Sequence, residues 1–254
     1  MEFFSGYGFN LSHAICYSII SYQYQKTATY NVCLIATNAT GCSDTTCTPI
    51  NASVEAAAAG SPAAMNAIGL LAHTAGDLER ARNWYEKAAN NGYSMALNNL
   101  GTISEDPKEA RKWFEAGVKA GNSLAMFNLG LILQESGEEK QSSDLFLASA
   151  KLGDSNAMAQ LGLMAEEADN LQEARKWYLR AVELENSQAM YNLGLMDQNL
   201  GDIAEAKKLY ERALEAGNLW PLNNLARIAE VEGDMIRAVS LYRDAAENGD
   251  ATAM

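Results

Sequence analysis

Few residues in this sequence have side chains able to bind a soft metal, attack a carbonyl or form a disulfide, and they are unevenly placed. Cys16, Cys33, Cys42 and Cys47 are its only cysteines, and His13 and His73 its only histidines. A structural zinc site needs two close pairs of Cys or His. Cys42 and Cys47 make one such pair and no second follows, so no metal site is expected. Gly6-Tyr7-Gly8 is too short to cradle a phosphate, and neither a P-loop nor a G-x-S-x-G nucleophile motif occurs. Asp and Glu are plentiful but fall at helix starts and in runs such as ESGEEK (135–140), where a solvated face is their expected role. The chain therefore reads as a non-enzyme with no catalytic residue and no cofactor. The cysteines do allow a disulfide. Cys33 and Cys47 would face each other across two expected strands under oxidising conditions, in one of the three connectivities open to four cysteines.

Charge narrows the partners. The 254 residues carry a formal charge of -13, a field that repels a phosphate backbone and an anionic membrane surface, so nucleic acid is not an expected partner. No apolar run approaches the roughly 18 residues of a spanning helix. FNLSHAICYSII (9–20) follows no Lys or Arg, so no clear signal peptide is read and the compartment, cytoplasmic or extracellular/periplasmic, stays open. Glu2, Lys26, Asp44 and Glu55 are the only charged residues among the first 60, which also hold every cysteine. Two chemically different parts are expected: an N-terminal segment 1–50 joined by a linker, 51–61, to a domain over 62–254.

The larger part repeats. Met65, Leu97, Met126, Met158, Met190, Leu222 and Met254 recur at a period of 32 residues with one unit shorter by three, and each follows Ala except Leu222, which follows Pro221. Four residues after the anchor come Gly69, Gly101, Gly130, Gly162, Gly194 and Ala226. A turn follows, Gly201-Asp202 in the fifth unit and Asp106-Pro107 in the short second one, where proline suits the first position of a helix. Then come Ala81, Ala110, Ser142, Ala174, Ala206 and Ala238, and the pairs Trp84-Tyr85, Trp113-Phe114, Leu145-Phe146, Trp177-Tyr178, Leu209-Tyr210 and Leu241-Tyr242. Met190, Leu193, Gly194 and the residue at 197 recur at helical spacing before the turn, and Ala174, Trp177, Tyr178 and Ala181 do so after it, which makes each unit two helices. A glycine inside a helix costs about 0.5–1 kcal/mol relative to alanine, so keeping it calls for a steric reason. The aromatic of the second helix is expected to pack over it. The aromatic pairs and the methionines are accordingly read as packing, not as ligand cages or metal ligands. One hairpin cannot cover its own apolar stripe, whereas stacked hairpins can, and the expected fold is mainly α: a solenoid of six units plus the start of a seventh.

The sequences AMYNLG, GDIAEAKKLYERALEAGN and ARNWYEKAANNGYSMALNNLG resemble Sel-one-like repeats, relatives of the tetratricopeptide repeats, over residues 62–254. Units of 32 residues lack the longer turn of the former, which favours the broader tetratricopeptide superfamily. The resemblance implies a right-handed α-solenoid acting as a non-enzymatic scaffold or adaptor. It also implies that the first helix of each unit lines a concave face. Carried over column by column, that face holds Asn66, Asn98, Phe127, Tyr191 and Asn223, then Leu131, Leu195 and Arg227, then Glu166 and Gln198. These columns vary in chemistry, as a binding face tolerates. The next column is nearly constant, with Ala67, Asn99, Asn128, Gln160, Asn192 and Asn224, and its repetition assigns it to architecture, the alternative being a grip on the backbone of an extended peptide. With Arg227 as its only cation, the groove suits a protein or peptide carrying apolar anchors and basic residues.

In the N-terminal segment, Tyr30, Val32, Leu34 and Ala36 alternate with Asn31, Cys33, Ile35 and Thr37 ahead of the turn NATG, which predicts a short β-hairpin. Residues 24–50 resemble the last two strands of a PKD-type domain. Such a piece, with open edges, is expected to be poorly ordered or to dock on the repeats. The alternative function follows from it: a secreted or cell-surface structural protein making extracellular contacts. ATAM at 251–254 lies in register with Ala189-Met190, so the sixth unit is expected to leave Leu225, Leu241 and Tyr242 partly exposed, and that end to fray, to self-associate or to continue in a longer chain. A partial β segment joined to truncated repeats is also what a fragment or a fused reading frame would give.

Overall fold

The computed structural model describes the backbone of residues 16–23, 31–37 and 43–46 and the whole of residues 57–248. The N-terminal strands β1 (Cys16–Gln23), β2 (Asn31–Thr37) and β3 (Ser43–Thr46) form an antiparallel sheet in that order, with Leu34 opposite Thr46 and Thr37 opposite Ser43. The pairing of Cys33 with Cys47, the docking of this segment on the repeats and the start of a seventh unit at 251–254 lie outside the described residues.

Among the described residues twelve helices follow: α1 (Pro62–Thr74), α2 (Leu78–Asn90), α3 (Ser94–Thr102), α4 (Pro107–Lys119), α5 (Ser123–Glu135), α6 (Glu139–Lys151), α7 (Ser155–Glu167), α8 (Leu171–Glu183), α9 (Ser187–Asn199), α10 (Ile203–Glu215), α11 (Leu222–Val231) and α12 (Met235–Glu247). They pair into consecutive antiparallel hairpins, an α-solenoid architecture in the register of the repeat. Two compact units divide the chain, Met1–Leu145 and Phe146–Met254, with the boundary inside α6.

Capping residues fix the helix starts. Asp77, Asp106, Asn170, Asp202 and Asp234 each accept a hydrogen bond from a backbone N–H in the first turn of a second helix, satisfying a donor that has no partner within the helix. Proline follows Asp106 at the first position of α4, as its sequence required. Gly201 ends α9 at φ +88°, in the left-handed region that glycine enters freely. In the fourth unit the same place is held by Asp169 at φ +58°, a residue type that tolerates this conformation.

The steric reason for the helical glycines is visible in the core. A Cβ placed on Gly101 or Gly162 would lie 2.4 Å from a ring carbon of Phe114 or Tyr178, and one on Gly69 or Gly194 would lie 2.6 Å from Tyr85 or Tyr210. Each ring packs directly against the backbone of its partner helix at the glycine. Tyr85, Tyr178 and Tyr210 are completely buried, as are Ala81, Ala174 and Ala206 one turn before them. Burial of rings this size contributes about 1.5–3 kcal/mol each, enough to offset the glycine.

The end of the second unit corrects the expected exposure. Leu225 and Leu241 are buried, because they close the core of their own hairpin together with Leu222, Ala226, Ile228 and Ala245. The apolar side chains open to water there are Val231, Met235, Ile236 and Val239.

Candidate functional site

In the first unit, side-chain amides tie each repeat to the one before it. Asn99 Nδ2 donates to Asn66 Oδ1 at 2.8 Å, and Asn128 Nδ2 donates to Asn98 Oδ1 at 2.8 Å. Asn99 and Asn128 are thus architectural, as their repetition suggested. Asn66 and Asn98 are a correction: assigned to partner contact, they are buried and serve as the acceptors of this ladder. The reason is the meeting of two neighbouring columns across adjacent first helices, where an unpaired buried amide would be costly. Phe127 and Leu131, one turn apart on α5, remain half-buried at the surface of this unit.

In the second unit a different pairing recurs. The hydroxyl of Tyr178 donates to Glu166 Oε2 at 2.8 Å, that of Tyr210 to Gln198 Oε1 at 3.1 Å, and that of Tyr242 to Glu230 Oε2 at 3.2 Å, always twelve residues back within the same repeat. Asn224 reaches back from the following repeat to Gln198 Oε1 and to the Tyr210 hydroxyl, both at 3.4 Å. Burial pushes the phenols of Tyr178, Tyr210 and Tyr242 upward, and the acidic acceptors push those of Tyr178 and Tyr242 further the same way. Glu166 and Gln198 thus have an intramolecular duty besides any contact with a partner.

Tyr85 lacks that acceptor. Its hydroxyl is buried with no hydrogen-bond partner, burial alone pushes its phenol up to about 12, and the residue twelve back is His73. The same substitution should therefore act in opposite directions at two equivalent sites. Tyr85→Phe is expected to stabilise the fold by about 1 kcal/mol, by removing an unsatisfied buried group, whereas Tyr178→Phe should cost about 1 kcal/mol through its lost hydrogen bond. Urea denaturation of both variants checks this, and equal signs would count against it. Phe114 and Phe146 already occupy the corresponding place in the second and third repeats.

The sequence-selected residues that gather in one place lie on α9 and α11. The Tyr191 ring is 5.9 Å from that of Tyr210 and 5.6 Å from that of Trp220, the latter edge-on at 66°. Trp220 is 57% exposed, so this aromatic shelf faces water. Leu195 and Tyr242, like Tyr191, pack against the core cluster that contains Tyr210, and the exposed Arg227 is close enough for its charge to act on the Tyr210 and Tyr242 phenols. Asn223 sits half-buried on α11. Trp220 was not among the sequence candidates. It stands two residues before Leu222, where the other repeats hold Ala63, Met95, Leu124, Asn156 and Gln188, so variation within a column did mark it. Asn218 fixes its turn: Oδ1 accepts from the Trp220 N–H at 3.0 Å and Nδ2 donates to the Ser187 carbonyl at 3.1 Å.

Ion pairs give a second order that the sequence reading passed over. The residue after each small-residue column is Arg82, Arg111, Arg175 or Lys207 in four repeats, and each reaches an acid of the next repeat: Glu109, Glu138, Asp197 and Glu232. These acids are not all solvated, as was expected. Asp197 is buried on the core side of α9, 3% exposed, with the Arg175 guanidinium hydrogen-bonded to it.

Among the described residues, no group of three or more His, Cys, Asp or Glu side chains is placed to hold a metal ion, and no helix is long and apolar enough to cross a membrane. The arrangement offers rings, amides and single charges on a rigid framework, which is chemistry suited to holding another molecule.

Comparison with known proteins agrees with the repeat register. The Sel1 repeat model matches residues 62–93, 95–122, 123–154 and 228–250, and the tetratricopeptide repeat model matches 155–188 and 187–216. A Sel1 repeat protein from Oxalobacter formigenes is similar in structure, at 22% identity and a TM-score of 0.67 over 78% of this chain and 99% of that one. A protective antigen of uropathogenic Escherichia coli displaying an SLR fold is similar at 24% identity and a TM-score of 0.61, covering 80% of this chain and 50% of the antigen, so the chain spans half of that protein's length. Pseudomonas aeruginosa pilF is similar at 18% identity and a TM-score of 0.61, over 79% of this chain and 95% of that one. At these identities the likeness concerns the fold. No curated protein matches the sequence.

Proposed function

This chain is a Sel1-like and tetratricopeptide-like repeat protein, and on that premise we propose that it is a non-enzymatic scaffold that binds a protein or peptide on the first-helix face of its second unit. Repeats of this kind mediate protein–protein contacts. The observation carrying the reading is the edge-on pair formed by Tyr191 and the exposed Trp220, with Leu195 one turn along α9 and Asn223 and Arg227 on α11 as the other residues assigned to this face. Large, rigid rings present contact area at little cost in conformational entropy, and residues of this type dominate binding energy at protein interfaces. Glu166 and Gln198 are the polar groups of the same first-helix columns. A net charge of -13 favours an incoming segment with basic residues, and the rings favour apolar anchors beside them. In the first unit, Phe127 and Leu131 offer a smaller contact of the same kind.

Selection of peptides from a random display library on the immobilised chain tests the partner chemistry. Enriched sequences are expected to combine aromatic or branched aliphatic anchors with Lys or Arg. Enrichment of acidic sequences, or of none, would argue against the reading.

A further inference from the structure

Two neighbouring loops of the second unit, 183–187 between α8 and α9 and 215–220 between α10 and α11, expose the apolar side chains of Leu184, Leu219 and Trp220. The loops are held together: Asn218 Nδ2 donates to the Ser187 carbonyl at 3.1 Å, and Arg212 Nη2 reaches Glu185 Oε1 at 2.9 Å. Glu183-Leu184-Glu185 departs from its own columns at three consecutive positions. The last position of a second helix is Asn90, Lys119 and Lys151 in the first three repeats and becomes Glu183 and then Glu215. A carboxylate there opposes the partial negative charge of a helix C-terminus, where lysine is favoured. In the next column, Asn91 and Asn248 close their helix ends by donating Nδ2 to the Lys87 and Asp244 carbonyls at 2.8 and 2.7 Å. Leu184 takes that place, forgoes the cap and stands 50% exposed. The third column holds Gly92, Gly121, Gly153 and Gly217, and Glu185 enters their left-handed region at φ +57° despite its side chain. None of the three gives the fold what its column gives elsewhere, and departures of this kind gather where a surface serves another molecule.

We propose that the partner segment bound at Tyr191 and Trp220 continues over this loop edge, where an aliphatic side chain covers Leu184 and lysine or arginine side chains meet Glu183 and Glu215. The inference rests on the reading of Tyr191 and Trp220 as a contact, and it says where the positive charge of the partner goes. Position supports it, because Trp220 belongs to one of the two loops and its ring meets Tyr191 just inside α9. Charge names the occupant. Glu183 and Glu215 are exposed and make no ion pair among the described residues. The cations one turn before them are engaged, Arg180 over the Trp177 ring at 5.0 Å and Arg212 by Glu185. Two open carboxylates beside exposed apolar side chains complement a cationic, aliphatic segment and repel an acidic one. Such pairs at the border of a contact speed association and weaken as salt rises.

Binding isotherms at low salt, with the full chain and a library-selected peptide carrying Lys or Arg beside an apolar anchor, test this. Glu183→Lys combined with Glu215→Lys, which restores the residue type of Lys119 and Lys151, should weaken binding at least about tenfold without lowering the melting temperature. Leu184→Asn, the residue of the capping repeats, should weaken it about threefold, again without loss of melting temperature. A copy of the peptide with its Lys and Arg changed to Glu should prefer the Glu183→Lys/Glu215→Lys variant to the wild type by at least about tenfold. Glu135→Lys combined with Glu139→Lys changes net charge equally in the first unit and should leave affinity within about threefold of wild type. Equal weakening by both lysine pairs would reduce the effect to net charge, and wild-type affinity in the Glu183→Lys/Glu215→Lys variant would remove the edge from the contact. Either result overturns the inference. Trp220→Ala separates it from the reading beneath: if that variant weakens binding and the Glu183→Lys/Glu215→Lys pair does not, the edge fails and the ring contact stands. If neither weakens binding, or no peptide with Lys or Arg is selected, both fail together.

Discussion

Replacing Arg175 by Met is expected to cost about 3–5 kcal/mol of folding stability, far more than loss of an exposed ion pair, because it leaves a carboxylate inside the protein without its cation. Asp197 is 3% exposed, and the Arg175 guanidinium is its side-chain partner. The half-exposed Arg175 can hydrate on its own, whereas Asp197 cannot, so the two single variants should be unequal. The other repeats supply the remedy. Where Asp197 stands, four of the other five carry Ala72, Leu133, Ala165 and Ala229, and the short second repeat carries Ser104. Arg175→Met combined with Asp197→Ala should therefore regain most of the loss, as paired replacement of buried ions by apolar groups commonly does. A double-mutant cycle by urea denaturation measures this coupling. Additive losses would mean that the pair is not buried as a unit.

The second large effect concerns the helical glycines. Gly162→Ala would gain about 0.5–1 kcal/mol of helix propensity at an exposed site. Here the new methyl would lie 2.4 Å from Tyr178 Cε1 and 2.5 Å from its Cδ1, against a ring that is completely buried and held at its hydroxyl by Glu166. The ring has nowhere to move, so overpacking of about 1–3 kcal/mol should exceed the gain and the variant should be less stable than wild type. An internal control exists. The sixth repeat carries Ala226 opposite Tyr242, and that tyrosine is only half-buried, so a methyl is accommodated there. Ala226→Gly should consequently lose stability as well, by about 0.5–1 kcal/mol. Thermal melting of both variants checks the pair of signs.

These two cases also show what was legible in the sequence. The glycine and its covering ring were readable because every repeat meets the same steric demand, so one column of small residues and one of large rings recur in phase. The acidic caps and the helix-starting proline were legible for the same reason. Asp197 was not, since a buried acid in a single repeat breaks the column pattern and only the position of Arg175 in space explains it. Asn66 and Asn98 were misassigned because comparing a sequence with itself reveals sameness down a column, not hydrogen bonds between neighbouring columns. Trp220 escaped because Pro221 disrupts the Ala-Met element just where the ring emerges. Leu225 and Leu241 were placed on the open end by assuming that a last repeat exposes its core residues. The hairpin closes over them, and the residues left outside include Ile236 and Val239, whose places are polar or alanine in the earlier repeats.

Binding isotherms of a library-selected peptide against three variants test the proposed interface most directly. Tyr191→Ala and Trp220→Ala are each expected to weaken binding at least about tenfold, in the range of a hot-spot loss of about 1.4–3 kcal/mol, while Phe127→Ala in the other unit leaves it nearly unchanged. Exposed Trp220 makes its variant the cleaner of the two, since its removal should leave the melting temperature close to wild type. Peptides that bind both Trp220→Ala and Tyr191→Ala as tightly as the wild type would contradict the assignment of this face as the binding site.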